Sequence, residues 1–169
     1  MFIEPRDFSG KSCEWEGRLE DAWAIYRELL SLNPNDNQGV RALAVTVLLA
    51  LKRPDEVVKV CAAYAEDVMP ETAYGRALAL FQLGSNTDAT RALREAIQWL
   101  PLVAKELLKL RHRRPKSAMP GFITMGGADE AYNYWQRDGR FWEETDGALS
   151  WLAEIAHTLP RRKGRKRDY

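Results

Sequence analysis

Apolar residues along this chain return at three- and four-residue steps, and no strand-like alternation competes with that period. In residues 19–32, Leu19, Ala22, Trp23, Ile25, Tyr26, Leu29, Leu30 and Leu32 form a wide stripe on one helical face. The same period predicts helices over 38–52, 54–66, 71–83 and 86–100. The run Asn33-Pro34-Asn35-Asp36-Asn37 supplies capping side chains for the helix expected from Gln38. Past Pro101 the pattern stays partly amphipathic, then breaks at 112–127, where Pro115, Pro120, Gly121, Gly126 and Gly127 predict a long surface loop. Asp129 and Glu130 place acids in the first turn of a helix expected to stop at Gly139. Thr145 is the expected N-cap of a last helix whose face is Ala148, Leu149, Leu152, Ile155, Ala156 and Leu159.

The chain also resembles itself. Gly17-Arg18-Leu19-Glu20-Asp21-Ala22 and Gly84-Ser85-Asn86-Thr87-Asp88-Ala89 begin segments that run to Pro34 and Pro101, at a constant offset of twice about 34 residues. A middle unit fits between them at Arg53-Pro54-Asp55-Glu56-Val57, with Lys52 where the turn glycine would stand. The physical reading is a helical hairpin: the turn Gly takes a left-handed conformation, the small Ala lets paired helices approach, and Pro redirects the chain.

This spacing resembles the tetratricopeptide repeat. The strings Leu32-Asn33-Pro34-Asn35-Asp36-Asn37-Gln38-Gly39-Val40-Arg41, Ala73-Tyr74-Gly75-Arg76-Ala77-Leu78-Ala79-Leu80-Phe81 and Gly147-Ala148-Leu149-Ser150-Trp151-Leu152 look like bacterial tetratricopeptide proteins classed with the suppression-of-tumorigenicity-seven family. That resemblance, over 15–159, implies a helical scaffold with no assigned chemistry. It further implies that the leading helix, falling on 3–16 with Pro5, Ser9 and Gly10, is degenerate or missing, as in a truncated relative.

Charge changes the picture only when divided. Residues 1–100 hold 11 basic against 15 acidic side chains and residues 101–169 hold 14 against 9, so net charge moves from −4 to +5. The positive excess lies in 105–116 and in the tail 161–169, where six of nine residues are Lys or Arg. Phosphate backbones attract such segments; a solvated tail is the plainer alternative. Six aromatics, Tyr132, Tyr134, Trp135, Phe141, Trp142 and Trp151, crowd the C-terminal part and predict a cap over the array's apolar edge.

Chemistry is sparse. Cys13 and Cys61 stand 48 positions apart, without metal-ligand spacing, and read as small buried or half-buried thiols. No phosphate-cradling glycine loop precedes a Lys-Ser/Thr pair, and His112 and His157 lack a nucleophile arrangement. No enzyme, metal or cofactor is expected. The longest apolar stretch, 42–51, is too short for the ~20 residues of a membrane span, and no secretory signal opens the chain, which predicts a cytoplasmic protein.

The expected organisation is a degenerate leading segment 1–16, repeats over 17–101, a basic helix end and loop over 102–128, capping helices over 129–160 and a basic tail 161–169. The fold class expected is all-α, a helical-hairpin array with an aromatic cap. Its function would be to bind a protein or peptide partner in a concave groove lined by the first helix of each unit. Gln38, Arg41 and Val45 would line it from the middle unit, and Glu71, Tyr74, Leu78 and Phe81 from the third. The rival expectation is nucleic-acid or ribosome association through the basic loop and tail.

Overall fold

The computed structural model describes residues 12–116 and 122–159, so the expectations for the leading segment before residue 12 and for the basic tail lie outside the described residues. Within them the chain is all-helical: α1 Ser12–Leu32, α2 Val40–Ala50, α3 Pro54–Ala62, α4 Pro70–Gln82, α5 Asn86–Trp99, α6 Pro101–Leu107, α7 Ala128–Glu144 and α8 Ala148–Thr158. Three of them begin on a proline, Pro54, Pro70 and Pro101. Proline suits the first helical position, since its fixed φ matches and its missing N–H would be unpaired there anyway.

The helical array is real, and its turns carry it. α2 ends with the Lys52 amide bonded to the Leu49 carbonyl and the Arg53 amide to the Leu48 carbonyl; α4 ends with Gly84 to Phe81 and Ser85 to Leu80. These are the same Schellman closure, with the left-handed residue at φ 57° in Lys52 and 73° in Gly84. Lys52 thus occupies the glycine position at some cost in strain. Val57 and Ala89 follow each turn at the same step and are fully buried where the paired helices meet.

The first expected unit is corrected. Gly17 lies inside α1, which runs unbroken from Ser12, and its φ is not positive. An added methyl group at Gly17 would meet nothing, so this glycine answers neither to a turn nor to close packing. Boundaries also shift inward: Gln38 precedes α2, because Asp36 and Gly39 both take positive φ and delay the helix to Val40.

Helix α4 is the centre of the molecule. Ten of its residues are buried, from Pro70 to Leu80, and it packs against α2, α3, α5 and α7. Gly75 permits the closest approach: a methyl group there would stand 2.5 Å from Val45 Cγ1 on α2.

Helix α7 corrects a second expectation. It passes straight through Gly139, which is buried and faces the Trp135 ring at 2.7 Å from where a Cβ would sit. The glycine makes room for an indole and does not end the helix. Thr145 closes α7 instead of opening α8; its hydroxyl donates to the Phe141 carbonyl at 2.7 Å, and Gly147, at φ 75°, starts α8.

Candidate functional site: an inner face filled by the chain itself

Helices α2, α4 and α6 each lead from one turn of the array to the next, and α7 packs on all three. The face expected to receive a partner is therefore covered by the chain's own helix. Ala131, Tyr134, Asp138, Phe141 and Trp142 of α7 are buried at three- and four-residue steps, one continuous stripe that crosses Gly139.

Aromatic packing forms the middle of this contact. Tyr74 is fully buried on α4, with Tyr134 at 5.8 Å and Trp142 edge-on at 6.2 Å between ring centroids. The Tyr74 hydroxyl donates to the Leu100 carbonyl at 2.8 Å and accepts the Ala104 amide at 3.2 Å, which fixes the α5–α6 corner. Trp142 Nε1 donates to the Tyr134 hydroxyl at 3.0 Å. Every polar tip in this cluster thus has a partner, as buried aromatics with polar ends require. Phe81 and Trp151 stack at 4.5 Å where α8 joins.

Two buried carboxylates flank the aromatics. Glu71 of α4 pairs with Arg137 of α7, whose Nε also reaches Asp138 Oδ2 at 3.1 Å. Burial pushes the Asp138 carboxyl above its ordinary range, against the opposing pull of Arg137 and the Thr46 hydroxyl. A third buried acid, Glu106 of α6, pairs with Lys109 and with His112 Nδ1 at 3.0 Å, and the His112 ring stacks on Trp135 at 3.6 Å.

Arg41 is committed inward as well. Its Nε and Nη2 form a two-point contact with Asp67 at 2.7 and 3.0 Å, and Nη1 reaches the Asp36 carboxylate and carbonyl. Asp36 in turn accepts the Val40 and Arg41 amides, both at 2.8 Å, which is the cap expected from the Asn/Asp cluster. The hydrogen bonds that Arg41 donates to Asp67 raise its pKa. Asp67 is pushed up by burial, yet Arg41 and Thr72 hold it below its usual range.

The expected groove residues therefore come together differently from the reading of them as partner contacts. Gln38 is exposed in the turn before α2; Arg41 braces two interhelical loops; Glu71, Tyr74, Leu78 and Val45 are buried. Sequence reasoning missed Asp138, Arg137, Asp67 and Glu106. The periodic stripe through 131–142 was the signal for α7, hidden by taking Gly139 as a stop; the long-range ion pairs left none.

Groups suited to covalent chemistry are scarce. Cys61 is buried in a small cleft with Tyr64, Thr72, Arg76 and Trp99, bonded to the Thr72 carbonyl at 3.6 Å. Burial pushes its thiol up to about 12, so thiolate is rare at neutral pH. Cys13 has no described side chain. Among the described residues no cluster of three or more His, Cys, Asp or Glu is placed to hold a metal, and no helix is long and apolar enough to cross a membrane.

Comparison with known proteins decides the family. No curated protein and no solved structure matches the chain. A family model described as transcriptional repressor TCF25 matches residues 11–168. This overturns the tetratricopeptide and suppression-of-tumorigenicity-seven assignment together with its bacterial placement, because helical-hairpin spacing reports packing geometry that unrelated families share. The match takes in every described helix, and the chain belongs to the transcriptional repressor TCF25 family.

Proposed function

We propose that this chain is a non-catalytic protein-interaction module that serves transcriptional repression. The observation that carries the reading is the family match across 11–168, which takes in all eight described helices. The geometry supports it from the other side. Glu71 of α4 is engaged by Arg137 of α7 and Glu106 by Lys109 and His112, ties internal to the array, and burial keeps the thiol of Cys61 protonated. Because α7 occupies the inner face, partners dock on the outside of the array and not in the groove. The family description points to the nucleus in place of the cytoplasm expected from sequence. A second reading, nucleic-acid association, has one supporting observation: the exposed cations Arg111, Arg113, Arg114 and Lys116.

The test tethers the full chain to a sequence-specific DNA-binding domain upstream of a reporter gene. Reporter output is expected to fall severalfold, and to do so equally when residues 161–169 are removed. An unchanged reporter, with the fusion shown to be expressed and nuclear, would defeat the repression reading.

A further inference from the structure

Helix α1 carries two apolar rows, and the array uses one of them. Leu19, Trp23, Tyr26 and Leu30 repeat at steps of four, three and four residues and pack on the core, Trp23 deepest. A second row, Ala22, Ile25, Leu29 and Leu32, repeats at steps of three, four and three. At about 100° per residue, the second row lies roughly 110° around the helix from the first. Ala22 is half-buried between the two, and the other three turn away from the array: Ile25 is 56% exposed, Leu29 40% and Leu32 75%. A surface helix ordinarily shows one apolar stripe and a polar opposite face, so the second row is a surface without its counterpart.

The spacing sets the kind of group that fits it. Apolar residues alternating at three and four are the a and d positions of a helix that packs lengthwise on another helix, knobs into holes. With Ala22 and Leu29 at a, and Ile25 and Leu32 at d, the g positions are Asp21 and Glu28. Both acids are exposed, and neither makes an ion pair among the described residues. The column on the other flank, at e, is Leu19 and Tyr26, which the array already holds.

We infer that the outer row of α1 receives an amphipathic helix of a partner protein, with bulky apolar residues at alternating three- and four-residue steps and Lys or Arg beside them. This rests on the interaction-module reading above and names its site. Charge complementarity selects the occupant. A second copy is opposed, because antiparallel α1 helices would set Asp21 and Glu28 against the same acids of the other copy. Parallel ones would need cations at Leu19 and Tyr26. Phosphate backbones and anionic lipid headgroups meet the same acidic column and are repelled by it. The apolar row supplies affinity, and the acids supply orientation and choice of partner.

Two synthetic peptides of four heptads probe the row. Both carry Leu at a and d; one has Lys and the other Glu at every e and g, so each repels itself and stays monomeric. Binding to the full chain is read by fluorescence anisotropy. The lysine peptide should bind at least about tenfold tighter than the glutamate peptide, and the gap should narrow in high salt. Ile25→Asp with Leu29→Asp should weaken the lysine peptide by about 30-fold or more. Asp21→Lys with Glu28→Lys should reverse the preference, so that the glutamate peptide binds tighter, a result that misfolding cannot imitate. Glu143→Lys with Asp146→Lys, exposed acids around the C-terminal end of α7, should change nothing. An unchanged helical spectrum and Tm certify that each variant is folded. A preference that survives the reversal, or binding indifferent to Ile25 and Leu29, overturns this site and leaves the interaction-module reading to its reporter test. The proposal is also overturned if the lysine peptide does not bind. A dimer in sedimentation that Leu29→Asp dissolves gives the row to a second copy, and lysine-peptide binding that emerges only when residues 1–11 are deleted gives it to the chain's own leading segment; either result overturns the partner helix.

Discussion

Asp138 is fully buried on α7 beside Arg137, and its carboxyl is held above the ordinary range mainly by desolvation. The folded state then keeps its proton at pH values where the unfolded chain has released it. Stability therefore falls as pH rises through that window, and at neutral pH the ionised group is a standing cost. Asp138→Asn removes the cost without stranding Arg137, which is 42% exposed and keeps Glu71 as a partner. The variant should melt a few degrees above the parent at pH 7, with the gap closing as pH falls toward the ordinary carboxylate value. Thermal melts from pH 4 to 8 check this; a gap that widens on acidification would show that the charge, not its burial, dominates. Asp67 runs the other way, its carboxylate favoured by Arg41, so its contribution is present above the ordinary range and lost in acid.

At the scale of the element, the turn of each hairpin and the small residue after it set the helix separation. Ala89 on α5 is completely buried against its neighbours, whereas Asp88 is exposed and paired with Arg91 one turn on, at 2.6 Å. Ala89→Asp should lower stability by several kcal/mol, because an unpaired carboxylate enters the interface. Asp88→Ala should cost about 1 kcal/mol or less, a surface pair and a helix-end charge. Chemical denaturation of the two variants separates them, and equal midpoints would remove Ala89 from the contact. The Arg41 and Tyr74 pair illustrates the same scale. Both fall early in helices, as their register predicted, but with Tyr74 buried against Tyr134 and Trp142 its truncation acts on the fold.

For the whole molecule, α4 is enclosed by four helices, whereas α1 packs chiefly on α2 and leaves Ile25, Leu29 and Leu32 exposed on its outer side. Local opening should follow that gradient. Amide hydrogen exchange should be slowest in α4 and the facing part of α7, and faster in α1 by orders of magnitude, with Trp23 to Glu56 at 3.1 Å and the Arg53–Glu20 pair as its main polar ties. Protection in α1 equal to that in α4 would mean that its outer face is covered. Slow exchange in α7 is the sharper part of this expectation, since a removable groove occupant would exchange quickly.

By itself the sequence determined the helices, their hairpin turns and the shared step that places Lys52 and Gly84 at equivalent corners. These depend on contacts within a few residues: apolar period, proline at a first turn, a left-handed closure. The Asp36 cap was equally legible, because a capping carboxylate acts on amides four and five residues ahead. Tertiary structure alone decided that α7 returns to cover α2, α4 and α6, and so turned Tyr74, Leu78 and Glu71 from an expected binding face into interior. Gly139 shows why: as a letter it reads as a helix stop, and only the Trp135 ring folded over it reveals a packing site. Pairings such as Arg41 with Asp67 and Glu71 with Arg137 join residues 26 and 66 positions apart. No local period encodes a partner at such separation; the choice is made when the helices pack and each buried charge must find its counterpart.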